Sequence, residues 1–228
     1  MRLFSWILVM TTPTTLNLSL LQTSVEAMAT VAFALSGLLE AARKRLDVVG
    51  VFVVAGLAAF GGGTLRDILL DRRPLFWVEH AAWLWFLLAL CLGAMLTLRS
   101  QHFEVTERAM LWPDAIGLGL FSASGTQIAL DMQTPAIVAV LMGVITAVFG
   151  GVLRDIVCNE IPSAFRDHRP YAVCAFIGSW MLVLAHAMGS TNWIGLLAAA
   201  GTTIVLRGLA LWSGYSLPAW NPDPPARP

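Results

Sequence analysis

Gly61-Gly62-Gly63-Thr64-Leu65-Arg66-Asp67-Ile68, closed by Pro74, returns 88 residues later as Phe149-Gly150-Gly151-Val152-Leu153-Arg154-Asp155-Ile156, closed by Pro162. Between Ala59–Pro74 and Ala147–Pro162, 8 of 16 aligned positions are identical, with no gap. Each copy sets glycine beside an Arg-Asp pair inside an otherwise apolar run. The chain must therefore accommodate a charged pair in apolar surroundings twice.

Those surroundings are membrane-like. Of 228 residues, 57% are hydrophobic and 12% charged, and mean hydropathy is +0.74; soluble domains carry about 25% charged residues. Basic and acidic residues balance at 14 each, so no basic stripe marks a nucleic-acid partner. Cys91, Cys158 and Cys174 show no Cys-x-x-Cys spacing and read as packing residues.

Spanning helices need roughly 17–25 mostly apolar residues. On that measure seven are expected, at about 22–42, 47–72, 81–98, 113–131, 135–158, 171–188 and 192–212. A barrel is excluded because the dyad alternation of its strands is missing. The repeat extends past the glycines, since Ser36-Gly37 matches Ser124-Gly125 and Glu26 matches Asp114 at the same offset of 88. Each unit thus holds three helices. Three is odd, so the second unit enters the membrane from the opposite side, an inverted-topology repeat.

The resulting organisation is an N-terminal extension (1–21), repeat 1 (22–99), a connecting loop (100–112), repeat 2 (113–190), a seventh helix (191–213) and a disordered Pro-rich tail (214–228). The apolar run Leu3–Met10 has the length of a signal h-region, but no small-x-small cleavage site follows it. In the seventh helix, Gly195, Ala198, Ala199 and Gly201 suit close packing. Basic residues divide nine to three in favour of a cytoplasmic C-terminus, setting aside Arg66 and Arg154. That predicts a multi-pass membrane protein with its N-terminus outside. Trp77, Trp83, Trp112, Trp193 and Trp212 fall where helices meet headgroups.

Consecutive glycines predict a break or kink in helices 2 and 5, tolerated in a bilayer only against protein or a wet cavity. Arg66 and Arg154 follow these glycines, and a charge held there costs at least about 2.5 kcal/mol unless paired or hydrated. Successive residues diverge by about 100° around a helix, so neither Asp67 nor Asp155 is expected to satisfy the arginine before it. Freed carbonyls, Ser36, Ser124 and water are the expected partners. Gln127 and Asp131 suit either a cation-attracting mouth or a solvated face. Glu40 with Arg43 and Lys44 reads as surface pairing at i+3 and i+4. A single copy of the phrase would read as a packing glycine pair before a snorkelling arginine. Two mirrored copies favour a pathway with two sides.

No P-loop, dinucleotide fingerprint, zincin or nucleophile-elbow motif occurs, and no cofactor is implied. A hydrolase built on Ser124 and His186 is a weak alternative, because Ser36 already accounts for Ser124 through the repeat. The chain reads as a non-enzyme.

The two Gly-Gly-x-x-Arg-Asp phrases, Phe33-Ala34-Leu35-Ser36-Gly37 with its echo at 121–125, and the count of seven helices resemble the bacterial branch of the trimeric intracellular cation channel (TRIC) family. The resemblance covers about residues 22–212. It implies a homotrimer with one hourglass pore per subunit, helices 2 and 5 kinked at Gly61, Gly62, Gly63, Gly150 and Gly151, and passage of monovalent cations, chiefly potassium. Some bacterial relatives are described as glycine transporters, which supplies the alternative: a small-zwitterion carrier whose arginines grip a carboxylate. The Lys-Glu-Val signature of animal members is absent, so their lipid and calcium regulation does not carry over.

In the channel reading Arg66, Asp67, Arg154 and Asp155 support the helix breaks or gate the path. Ser36, Thr64, Ser124 and Thr146 line it, together with backbone carbonyls. Phe149 stands where helix 2 has a third glycine and is a candidate constriction.

Overall fold

The computed structural model describes residues 13–97, 107–166 and 170–217, and among these every regular element is helical. The order is α1 (Pro13–Arg43), α2 (Val48–Leu69), α3 (Phe76–Glu79), α4 (Ala82–Thr97), α5 (Glu107–Asp131), α6 (Ala136–Val157), α7 (Ser163–Arg166), α8 (Ala172–Ala187) and α9 (Asn192–Ser213). Seven of these match the expected long helices. The one-turn helices α3 and α7, each following an Arg-Asp phrase, were not anticipated. The apolar run Leu3–Met10 and most of the Pro-rich tail lie outside the described residues.

Two expected boundaries are corrected. Helix α1 begins at Pro13, inside the segment read as a loose extension, because proline is well suited to a first helical turn. Helix α5 begins at Glu107, inside the expected connecting loop, and runs through Pro113.

The repeat recurs in the backbone. Helices α2 and α6 share bounds at an offset of 88, and α1 and α5 end 88 residues apart. All four C-termini are closed by a residue with left-handed φ: Arg45 (54°), Asp71 (51°), Gln133 (57°) and Asn159 (56°). After each, the next N–H returns to a carbonyl five residues back, as in Arg72 to Asp67 (2.8 Å) and Glu160 to Asp155 (2.9 Å). This Schellman geometry consumes carbonyls that the helix end leaves free. It is local chemistry, written twice in the sequence.

The halves meet through equivalent residues. A Cβ on Gly62 would lie 1.9 Å from the carbonyl oxygen of Thr146, and one on Gly150 would lie 2.3 Å from that of Ala58. Thr146 is Ala58 plus 88, so α2 and α6 cross by a reciprocal contact, the mark of an isologous interface. Phe33 and Phe121, also equivalents, stack on each other with centroids 5.6 Å apart.

Both α2 and α6 run uninterrupted through their glycines. Of the expected break or kink, the break is therefore corrected. Glycine removes the side chain where two backbones touch, so the helices approach closely without giving up their own hydrogen bonds. Helix α9 packs against α8, with Gly195 against Ala185 and Ala199 fully buried, whereas Gly201 faces open space.

Four of the helices, α1, α2, α6 and α9, are long and apolar enough to cross a membrane. Helices α4 and α8 have 16 residues each, about 24 Å of rise.

Candidate functional site

Arg66 and Arg154 are both fully buried, and each is held from three directions. Arg66 Nε and Nη2 donate to Asp67 Oδ1 at 2.9 and 2.7 Å. Its Nη1 reaches Glu26 Oε1 on α1 at 2.5 Å, and its guanidinium lies 5.7 Å from the Phe76 ring centroid. Arg154 repeats the pattern: Nε donates to Asp155 Oδ1 at 2.8 Å and Nη1 to Asp114 Oδ1 on α5 at 2.7 Å. The carboxylate lies 40 residues before the arginine in both halves.

The expectation that Asp67 and Asp155 would not serve their neighbouring arginines is overturned. Side chains at i and i+1 diverge at their Cβ atoms, but a long guanidinium folds back across that angle when burial leaves no water to compete. Each aspartate has a second task. Asp67 Oδ2 accepts the Phe76 N–H at the start of α3 (2.9 Å), and Asp155 Oδ2 accepts the Ser163 N–H at the start of α7 (2.8 Å). Every Arg-Asp phrase therefore ties three pieces of its own half together: the long helix that carries it, the preceding helix and the following one-turn helix. Charge-assisted bonds of this kind are roughly twice as strong as neutral ones.

Ser36, expected as a partner, accepts from Arg154 Nη1 at 2.5 Å. Ser124 does not reach Arg66: its hydroxyl is buried with no hydrogen-bond partner. Thr146 is buried and donates to the Met142 carbonyl one turn back at 2.6 Å. Thr64 accepts from Trp77 Nε1 at 2.9 Å and borders a cavity of about 490 Å³ between α2, α4 and α6. Phe149 lines the same cavity with Phe52, Phe60 and Leu153. Apart from Thr64 these walls are apolar. A smaller polar cavity of about 50 Å³ is bordered by Thr23, Glu26, Thr30, Arg72, Glu79 and His80, so the carboxylate that holds Arg66 also borders a cavity.

Gln127 Nε2 donates to Asp131 Oδ1 at 2.8 Å at the end of α5. Glu40 pairs with Arg43 at 2.7 Å but is itself buried, and Lys44 pairs with Glu160 instead of Glu40. The surface reading of that trio is corrected: Lys44 joins residues far apart in sequence. No hydrogen bond joins Ser124 to His186, which is exposed and sits beside Gln127 at a small cavity. Two residues that sequence reasoning missed stand next to the second cluster. Tyr171 is buried at the start of α8, and Arg207 of α9 lies 4.7 Å from its ring centroid and donates to the Pro170 carbonyl at 3.1 Å. Nothing in the repeat announces Arg207, because α9 stands outside it.

A helical bundle of two like halves, each burying an arginine between two carboxylates within helices apolar enough to span a bilayer, defines a multi-pass membrane protein. The family model described as "Glycine transporter" matches residues 23–100 and again 111–187, one match per half. A membrane protein of Vibrio cholerae, described as UPF0126, is 37% identical over 211 residues, 91% of this chain and 85% of that one. The inner membrane protein YadS of Escherichia coli K12 is 37% identical over 156 residues, 68% of this chain and 73% of its own length. Two solved structures share the fold with TM-scores of 0.77 and 31% identity. One is of TRIC cation channels and covers 89% of this chain and 98% of its own; the other, the TRIC orthologue of Rhodobacter sphaeroides, covers 85% and 98%. The chain belongs to this family, the bacterial membrane proteins related to TRIC channels.

Proposed function

We propose that the protein conducts monovalent cations, potassium foremost, through one pathway in each subunit of a homotrimer. The observation that carries this reading is the charge of the two clusters. Arg66 with Asp67 and Glu26, and Arg154 with Asp155 and Asp114, each set one guanidinium against two carboxylates. A lone arginine would repel a passing cation. The three groups named in each cluster sum to a formal charge of −1, offset at the first by Arg72, 3.8 Å from Asp67, and a negative group in a low-dielectric wall attracts cations along the path. The solved relatives described as cation channels support the same reading.

In this reading all seven long helices span the inner membrane, with the N-terminus outside and the C-terminus in the cytoplasm. The halves are inserted in opposite directions, so reciprocal contacts at Gly62 and Gly150 put the crossing near the midplane and one cluster toward each side. Gly61, Gly62, Gly63, Gly150 and Gly151 let α2 and α6 flex at that crossing without losing helix. Ser36, Ser124, Thr64, Thr146 and helix carbonyls offer oxygen to a partly dehydrated ion, and Phe149 narrows the way beside Gly61.

Two observations favour glycine transport as the second reading. Arg154 Nη2 is buried without a hydrogen-bond partner, and the family model carries the transporter description. Against it, four carboxylates of the chain already occupy the two arginines. Purified protein in a planar bilayer decides between them: unitary potassium currents are expected. Saturable glycine uptake into liposomes without such currents overturns the channel.

A further inference from the structure

The halves carry the same Arg-Asp phrase, serine and preceding carboxylate but do not make the same bonds. Arg154 Nη1 donates to Ser36 and so fastens α6 to α1. The equivalent bond, displaced by 88 at both ends, would join Arg66 on α2 to Ser124 on α5. It is not made: Arg66 Nη1 is bonded to Glu26, and the Ser124 hydroxyl is fully buried with no partner. A buried hydroxyl with nothing to bond is rare enough to need a reason.

The same difference recurs two helical turns further along. Lys44 Nζ pairs with Glu160, and Arg43 Nη2 stands 3.6 Å from the same carboxylate. These contacts tie the end of α1 to the loop after α6. The positions equivalent to Arg43 and Glu160 are Asp131 and Arg72, a pair of the same kind with its signs exchanged. That pair is not closed. Asp131 is hydrogen-bonded to Gln127, and Arg72 Nη1 lies 3.8 Å from Asp67. The seam between α1 and α6 is thus fastened at two levels, and the seam between α5 and α2 at neither.

We propose that these two seams are alternating gates, of which the structure holds the first closed. Opening it releases Glu160 from Lys44 and Arg43, and Ser36 from Arg154. In exchange, Arg66 bonds Ser124 and Arg72 pairs with Asp131 across the other seam. The halves are related by equivalent positions, with Met132 standing for Lys44, so each state resembles the other with the halves exchanged. That is the kind of two-state element on which switching depends. The inference rests on the reading of the protein as a membrane conduit, current passing while neither seam is fastened during the exchange, and adds Lys44, Glu160, Arg72 and Asp131 to its machinery.

Electron paramagnetic resonance on the full chain in liposomes tests this without measuring transport. Nitroxides are attached across the first seam at R45C with I161C, and across the second at the equivalent positions R73C with Q133C. All four residues are exposed, and the three native cysteines are buried. In the native background a single short distance is expected at the first seam and a longer, broader one at the second. Lys44→Glu is expected to raise the long-distance fraction at the first seam several-fold and to shorten the second, and Lys44→Glu combined with Glu160→Lys to restore both. A first seam that lengthens while the second stays unchanged would mean only a frayed helix end and would overturn the alternation, as would failure of the charge exchange to restore the native distances. Currents absent in every variant while the distances still alternate would refute conduction and leave the gates standing.

Discussion

Phe33 and Phe121 occupy the same position in the two repeats and stack on each other, centroids 5.6 Å apart and planes inclined by 24°. A residue that touches its own equivalent lies on the line about which the halves exchange. Both rings are essentially fully buried, so they pin the centre of the bundle. Phe33→Ala and Phe121→Ala should each cost about 3–5 kcal/mol and lower the melting temperature in detergent by similar amounts. The double variant should cost less than the sum by about 0.5–1.5 kcal/mol, the stacking coupling. Additive losses would show that the rings do not support each other.

At the helix crossing, Gly62→Ala would drive its Cβ to 1.9 Å from the Thr146 oxygen and Gly150→Ala to 2.3 Å from the Ala58 oxygen. Because the obstacle is backbone, no rotamer relieves it. Each is expected to destabilise by about 1–3 kcal/mol or more. Gly201→Ala on α9, which meets nothing within 4 Å, serves as the control and should be neutral. Thermal unfolding followed by tryptophan fluorescence compares all three, and a Gly62→Ala protein as stable as the control would remove the close-approach role.

Arg154→Ala strands Asp114 and Asp155 without their cation. Breaking a buried pair from one side costs about 3–5 kcal/mol, so loss of thermal stability or altered gating is expected, with the preference for potassium over chloride kept. A stably folded, normally gated variant with reversed ion preference would show that Arg154 selects what passes.

The carboxylates should carry the opposite signature. Glu26→Gln and Asp114→Asn keep a hydrogen-bond acceptor for Arg66 and Arg154 while removing one negative charge from each cluster. Unitary potassium conductance should fall severalfold in either variant, more so at low ionic strength, where charges are less screened. Reversal potentials in a potassium chloride gradient should shift toward chloride. Unchanged conductance and selectivity in both would sink the charge argument for the channel.

Asp67→Ala removes the acceptor of both Arg66 and the Phe76 N–H, and Asp155→Ala that of Arg154 and the Ser163 N–H. Backbone amides of α3 and α7 should then lose protection in hydrogen exchange ahead of the long helices. Unaltered exchange in these two short helices would mean that they stand without the aspartates.

Much of this protein was legible in its sequence because the deciding information is periodic. Apolar runs of spanning length, an unbroken offset of 88 and Arg-Asp phrases inside apolar segments depend only on residue type and spacing. They gave seven long helices, the paired halves and the residues of both clusters. The four left-handed helix ends and the 40-residue interval from Glu26 to Arg66 and from Asp114 to Arg154 repeat in the same way. What only the tertiary structure decided is which groups satisfy one another. Burial without water made Arg66 and Arg154 fold back onto the adjacent aspartates against the helical angle. Contact between backbones, invisible in either helix alone, turned the expected glycine breaks into a close crossing. The unequal bonding of Ser36 and Ser124 follows from the conformation of the whole bundle, for the repeat sets a phenylalanine three residues before each serine and a glycine directly after it and cannot say which of them is engaged.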